Sequence, residues 1–174
     1  WIKSLAVLST ELYGIIFSAG IDRKTYVFTN INIEDKCPVR NGILIHDCQH
    51  SNIEDVSLLE SKFHGFIIAS AGRCGEIFIQ TMERLHESPL VPLWIIKHSL
   101  EIKSLSLINS INENEFFIVL IDELDRLNVY NSYNNQKSIN KSPLFCIHVQ
   151  NYMAHAHFFH EGKLRFYIAS RVPT

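Results

Sequence analysis

The sequence predicts an all-β fold built from repeated four-stranded antiparallel units, and two recurring patterns carry that expectation. One hairpin design comes back three times. Gly14 to Phe28 (GIIFSAGIDRKTYVF) reads as an apolar strand, a small-residue turn containing Asp22, and a strand that alternates at Thr25 and Val27. A second copy runs from Gly65 to Gln80 (GFIIASAGRCGEIFIQ) and a looser third from Phe116 to Tyr130 (FFIVLIDELDRLNVY). The other pattern stands ahead of each hairpin: I-K-S-L-A-V from Ile2, I-E-D-V-S-L from Ile53 and I-K-S-L-S-L from Ile102 share one apolar spacing. Both patterns return at intervals of about 50 residues, which marks a repeat architecture. Every segment alternates at period two and is too short for a helix to maintain.

Taken in order, each unit offers four strands. After the leading strand and the hairpin comes a short closing strand: Gly42 to Asp47 (GILIHD), Leu93 to Lys97 (LWIIK) and Leu144 to Val149 (LFCIHV). The first two run into His50-Ser51 and His98-Ser99 just ahead of the next unit. The linkers differ. Asn30 to Asn41 and Asn131 to Ser142 are polar, while Thr81 to Pro92 has room for one helical turn before its prolines end it. No linker is long enough to separate one domain from another. Residues 1–174 therefore read as a single domain, with units at about 2–50, 51–98 and 99–149 and a weak partial unit at 150–174, where Lys163 to Ser170 alternates again.

Composition narrows the function classes. In 174 residues, 47% are hydrophobic, enough to fill one real core. The formal net charge of -2 creates no global field for nucleic acid or anionic lipid, so any such contact is local. No apolar run reaches the length of a bilayer span, and no signal sequence is present, which reads as a soluble intracellular chain. Cys37, Cys48, Cys74 and Cys146 contain no C-x-x-C pair, and their spacing reads as reduced, mostly buried thiols. Trp1 stands first and Ile2 already belongs to a strand pattern, so the chain reads as a piece of a longer protein.

Four strands per unit, a His before the leading strand and an Asp in the second turn make the chain resemble the WD-repeat β-propeller family. His50 and His98 match the His of that family's Gly-His pair, without the Gly. Asp22 matches the turn Asp, which in that family bonds the His and holds the blade rigid. Cys74 stands there in the second unit, and the third offers Asp122 or Asp125 in a shifted register. At the family's Trp position stand Phe28, Gln80 and Tyr130. The resemblance implies a partial β-propeller of about three to four four-stranded antiparallel blades. Since a ring needs about four to eight blades, it also implies missing blades or completion from outside.

Within the family, the order of features is similar to auxiliary subunits of the tRNA wobble-nucleotide ribose methyltransferase. The similar stretches are IIASAGRCGEIFI, the bridge to LWIIKHSLEIKSLSL, the D-R-L-N-V-Y end and the closing F-C-I-H-V. This implies a non-catalytic cytoplasmic scaffold without a cofactor, whose SAM-dependent partner methylates tRNA. Scaffolds of small-subunit ribosome assembly, which are nucleolar, also resemble the chain through Ser18 to Lys24 (SAGIDRK).

For chemistry inside the chain, the histidines His148, His155, His157 and His160 form the one metal-like cluster, because alternate strand residues share a face and imidazole binds Zn or Cu. It would make a metal-dependent enzyme; exposed or strand-capping histidines explain it better. Asp122, Glu123 and Asp125 fit a turn, where Asp bonds nearby N–H groups, better than an acid/base set. Gly72-Arg-Cys-Gly75 lacks the phosphate-loop spacing and is a turn in which Gly permits positive φ. Ile67, Ile77 and Val119 belong to the blade core. The partner contacts are expected on the rim, where the loops before the first strand and between the second and third strands put Arg23, Lys24, Asn52, Arg73 and Leu100 on one face. Arg23 and Arg73 lead that set, because a guanidinium fork suits carboxylate or phosphate.

Overall fold

A computed structural model describes residues 1–9, 14–31, 43–47, 51–62, 65–82, 94–110, 115–132, 142–149, 152–160 and 163–170. The first sheet holds β1 (Ile2–Ser9), β2 (Gly14–Gly20), β3 (Lys24–Ile31) and β4 (Ile43–Asp47). The second holds β5 (Ile53–Ser61), β6 (Gly65–Gly72), β7 (Glu76–Met82) and β8 (Trp94–Lys97). In the third are β9 (Ile102–Asn109), β10 (Phe116–Asp122), β11 (Arg126–Asn131) and β12 (Phe145–His148); β13 (Tyr152–His160) and β14 (Lys163–Ser170) form a separate hairpin. Each four-stranded sheet is an antiparallel meander in chain order. No helix occurs among the described residues. The helical turn expected within Thr81 to Pro92 lies, beyond Met82, outside them.

The turns explain why the hairpins recur. Arg23 N–H donates to the Gly20 carbonyl at 3.2 Å, Gly75 to Gly72 at 3.0 Å and Asp125 to Asp122 at 3.0 Å. The residue closing each turn is left-handed, with φ 63° at Arg23, 74° at Gly75 and 56° at Asp125. That is the three-residue hairpin whose last loop residue needs positive φ. Between the first two strands of each four-stranded sheet the register also slips at an equivalent place, near Ile2/Ser4, Ile53/Asp55 and Ile121/Asp122. Three copies of one irregularity show that the units share a backbone, not only a hydrophobic pattern.

The sheets stack face to face, with the leading strand of each beside that of the next: β5 touches β1 on one side and β9 on the other. Between the first two sheets lie Ile15, Phe17, Ala19 and Val27 against Val56, Phe66, Ile68 and Phe78. Between the second and third lie Ile67, Ala69, Ile77 and Ile79 against Leu105, Leu107, Phe116 and Ile118. Ile67, Ile77 and Val119 are fully buried, each contributing about 1.5–3 kcal/mol by leaving water. Polar cross-links join the leading strands: the Leu105 amide donates to Asp55 Oδ2 at 2.7 Å, and the Leu107 amide to Ser57 Oγ at 2.9 Å. The Val56 amide donates likewise to Ser4 Oγ at 3.4 Å. Beyond the third sheet, Val119, Ile121 and Val129 pack with Phe166 of β14. The closing strands are outermost, and β12 is exposed along its whole length. This is a partial β-propeller, and the sheets are its blades.

Candidate interaction rim

At one end of the blades lie the start of each leading strand and the turn between its second and third strands. Arg73 N–H donates to the Asn52 carbonyl at 3.2 Å, so two of the rim residues expected from sequence meet there. His98 N–H donates to the Gly75 carbonyl at 2.8 Å, which brings the segment before Leu100 onto the same turn. Arg23 is exposed and Lys24 half-buried at the matching turn of the first blade. The described contacts join neither of them to Arg73.

What the rim adds is a run of charge across three blades. Lys3 Nζ lies 3.3 Å from Glu54, Arg73 Nε 2.9 Å from Glu54, and the same Nε 3.2 Å from Glu101. A separate pair within the third blade joins Lys103 Nζ to Asp125 at 2.9 Å. The Arg73 side chain is 55% exposed and that of Lys103 45%, so the run is open to solvent. Sequence reading singled out Arg73 but passed over Lys3, Glu54, Glu101 and Lys103. The signal was present, because Lys3, Glu54 and Lys103 each follow the first Ile of a leading strand.

Beneath the rim of the third blade lies a buried polar cluster. Asp122 closes β10 and is fully buried. Its Oδ1 accepts the amides of Leu124 and Arg126, both at 3.0 Å. Its Oδ2 accepts Arg126 Nε at 2.8 Å, His98 Nε2 at 3.2 Å and Asn128 Nδ2 at 3.3 Å. His98 Nδ1 meets the Tyr130 hydroxyl at 3.0 Å. The tautomer with the proton on Nε2 satisfies both ring contacts. Burial works against ionising Asp122, but the Arg126 amide, the Arg126 guanidinium and His98 outweigh it and hold the carboxyl below its usual range. Burial pushes Tyr130 up to about 12. The Asp122 carboxylate is thus saturated with donors from its own turn, from β11 and from the loop that carries His98. Its role is to lock the turn to the preceding loop.

The pairing gives the size of the register shift expected in the third unit, with Asp122 two positions ahead of the place held by Asp22 and Cys74. Ile2, Ile53 and Ile102 pair with Gly20, Gly72 and Asp122, so Asp122 stands where the other blades have Gly. Asp22 and Cys74 correspond to Leu124 instead. Asp22 is exposed and accepts the Lys24 amide at 3.4 Å, while Cys74 Sγ accepts from Ser51 Oγ at 3.0 Å. Phe28, Gln80 and Tyr130 do share one register position, opposite Ile16, Ile68 and Ile118. His50 lies outside the described residues.

The thiols also depart from expectation. Cys74 and Cys146 are exposed, because one sits in a turn and the other on the outermost strand; Cys37 and Cys48 lie outside the described residues. His148 is exposed at the end of β12, paired in register with Arg126. The stretch from His155 to His160 belongs to β13, a strand that sequence reading left unassigned, and the side chains of its three histidines lie outside the described set. Among the described residues no group of three or more His, Cys, Asp or Glu is placed to hold a metal.

Two open cavities flank these features. One, of about 400 Å³, lies over the third-blade cluster and is lined by Lys97, Arg126, Asn128 and Cys146 among others. The other, of about 480 Å³, lies on the outward side of the first blade, between Trp1, Asp22, Tyr26 and Phe28.

No protein-family model matches the chain, and no curated protein matches it. Among solved structures it is similar to a chain in "Crystal Structure of Mitotic Checkpoint Complex", with a TM-score of 0.51 and 13% identity over 84% of its length. The match takes in 40% of that solved chain. Such a likeness is one of fold, and it agrees with the meander sheets in giving the chain a partial β-propeller architecture.

Proposed function

We propose that the chain is a non-catalytic platform for protein partners, with the charged rim as its contact surface. The observation that carries this is the run from Lys3 through Glu54 and Arg73 to Glu101, held on three packed blades. Ion pairs whose cation is exposed contribute only about 0–1 kcal/mol each, so Lys3 and Arg73, at 38% and 55% exposure, can turn to a partner at small cost although Glu54 is largely covered. The strands beneath keep them in place, which limits the ordering entropy that binding must overcome. The similar solved chain belongs to a complex by its title, which supports a platform role.

For the partner we propose a SAM-dependent tRNA ribose methyltransferase acting at the wobble nucleotide, in the cytoplasm. Its support is the order of blade features from Ile67 to Val149 set out above. Ser18 to Lys24 favours a second reading, a nucleolar scaffold of small-subunit ribosome assembly. Affinity purification of the full-length protein in low salt, with mass spectrometry and RNA sequencing, separates them. A dominant methyltransferase with tRNA is the expected result, and Arg73→Glu should weaken that association. Ribosome-assembly factors with precursor rRNA would replace the first partner by the second. A bare chain loaded with stoichiometric metal would overturn the platform reading itself.

A further inference from the structure

Along the rim the cations stand outside and the acids beneath them. In each described ion pair there, the cation is the more exposed partner: 38% against 15% for Lys3 and Glu54, 55% against 34% for Arg73 and Glu101, and 45% against 26% for Lys103 and Asp125. The rim therefore presents one cation from each blade to water. Lys3 and Lys103 hold the same place, directly after the first Ile of β1 and β9. In β5 that place belongs to Glu54, and Arg73 reaches back from its turn to cover it at 2.9 Å. Lys103 is held from two sides, since it also donates to the Glu123 carbonyl at 3.1 Å. The three cationic ends thus form a row, anchored by acids and carbonyls that the sheets fix. Face-to-face sheets lie about 10 Å apart, which sets the interval between neighbours in the row. Two carboxylates of this rim, Asp22 and Glu123, are also exposed, but they belong to the turns between second and third strands, further out than the leading strands.

We propose that this row takes an extended acidic segment of a partner protein, with a carboxylate at about every third residue. The inference deepens the platform reading and rests on it. A chain in the polyproline II form rises about 3.1 Å per residue and returns to one side at every third residue, so its carboxylates on that side recur at about 9 Å and meet Lys103, Arg73 and Lys3 in turn. No strand has to move, because each cation only swings outward from its resident acid. A nucleic-acid strand fits the row less well. Its charges follow one another at about 3.4 Å along the axis, which brings phosphates against Glu54 and Glu101 as well as against the cations. The net charge of -2 adds no general attraction for it.

Fluorescence anisotropy of labelled peptides, titrated with the full-length protein in low salt, tests this. In one peptide three Glu recur at every third position among Pro and Ala; a second has the same composition with its Glu adjacent, and a third carries Lys in place of Glu. The first should bind about fivefold more tightly than the second, and the third should not bind. Arg73→Gln should weaken the first peptide by about fivefold, Lys3→Gln and Lys103→Gln by less, and its affinity should fall as salt rises. Equal binding of the spaced and adjacent peptides, or binding that Arg73→Gln leaves unchanged, would overturn the proposal. Tighter binding of a single-stranded oligonucleotide of equal charge would make nucleic acid the occupant and overturn it too. If no acidic peptide binds while Arg73→Glu still releases the purified partner, the acidic segment falls and the platform stands. If the spaced peptide binds through Arg73 while the purified partner is indifferent to Arg73→Glu, the cation row stands and the rim is not that partner's surface.

Discussion

The third and first blades share one backbone and spend their buried space differently. In the third, Asp122 ends β10 and gathers His98, Arg126 and Asn128 around a carboxylate that water does not reach. In the first, Gly20 occupies that register position, Asp22 faces solvent two residues later, and Phe28 stands where Tyr130 makes its bond. Glycine there lets the chains approach closely: a Cβ on Gly20 would run into the Trp1 carbonyl. The contrast shows that a polar cluster in this fold belongs to two blades at once. Where a neighbour delivers an imidazole, a buried acid is satisfied; on a face with no neighbour delivering a side chain, the acid stays at the surface.

The largest test of that contrast is Asp122→Ala against Asp22→Ala. The first strands five donors and should cost about 3–5 kcal/mol in denaturant unfolding, the second under about 0.5 kcal/mol. Equal losses would break the comparison. The same carboxyl gives a pH signature. Its folded pKa is lowered, so its stabilisation is complete above the unfolded value near 3.8 and disappears as pH falls through the lower folded value. Asp122→Asn should flatten that part of the acid limb of stability. Next comes Gly72→Ala: its Cβ would lie 2.5 Å from the Asn52 carbonyl oxygen, and a loss of about 1–3 kcal/mol is expected although Asp122 carries a Cβ at the equivalent site. Tyr130→Phe removes the hydroxyl from His98 Nδ1 and should cost about 1 kcal/mol. Phe28→Tyr, the reverse change in the open first blade, should shift stability by less than about 0.5 kcal/mol; a clear gain would mean the cavity beside it already holds a partner for the new hydroxyl.

How much of this the sequence disclosed follows from which forces act locally. The hairpins were legible because alternation and a turn requiring positive φ are written within about ten residues. The leading strands were legible because they recur. Asp122 was left open against Asp125 as the third unit's turn acid, because its register depends on pairing with Ile102, a contact across a strand and a loop. The rim charges were individually visible, yet their pairing across blades depends on strands about fifty residues apart lying side by side. Cys146 was misjudged since exposure depends on being the outermost strand, a property of the sheet and not of F-C-I-H. The alternation in β13 was read as a face of ligand histidines, while its pairing with β14 is a property of the hairpin and not of the strand alone.

The packing of β5 against β1 on one side and β9 on the other has a consequence for how the molecule comes apart. When each unit touches only its sequence neighbours, stability is a chain of intrinsic and nearest-neighbour terms. Among the described residues the second blade has two such couplings and the first has one. Opening then begins as fraying from the uncoupled side and travels inward as a front, so that local unfolding of the first blade leaves the β5–β9 contact and the His98 cluster standing.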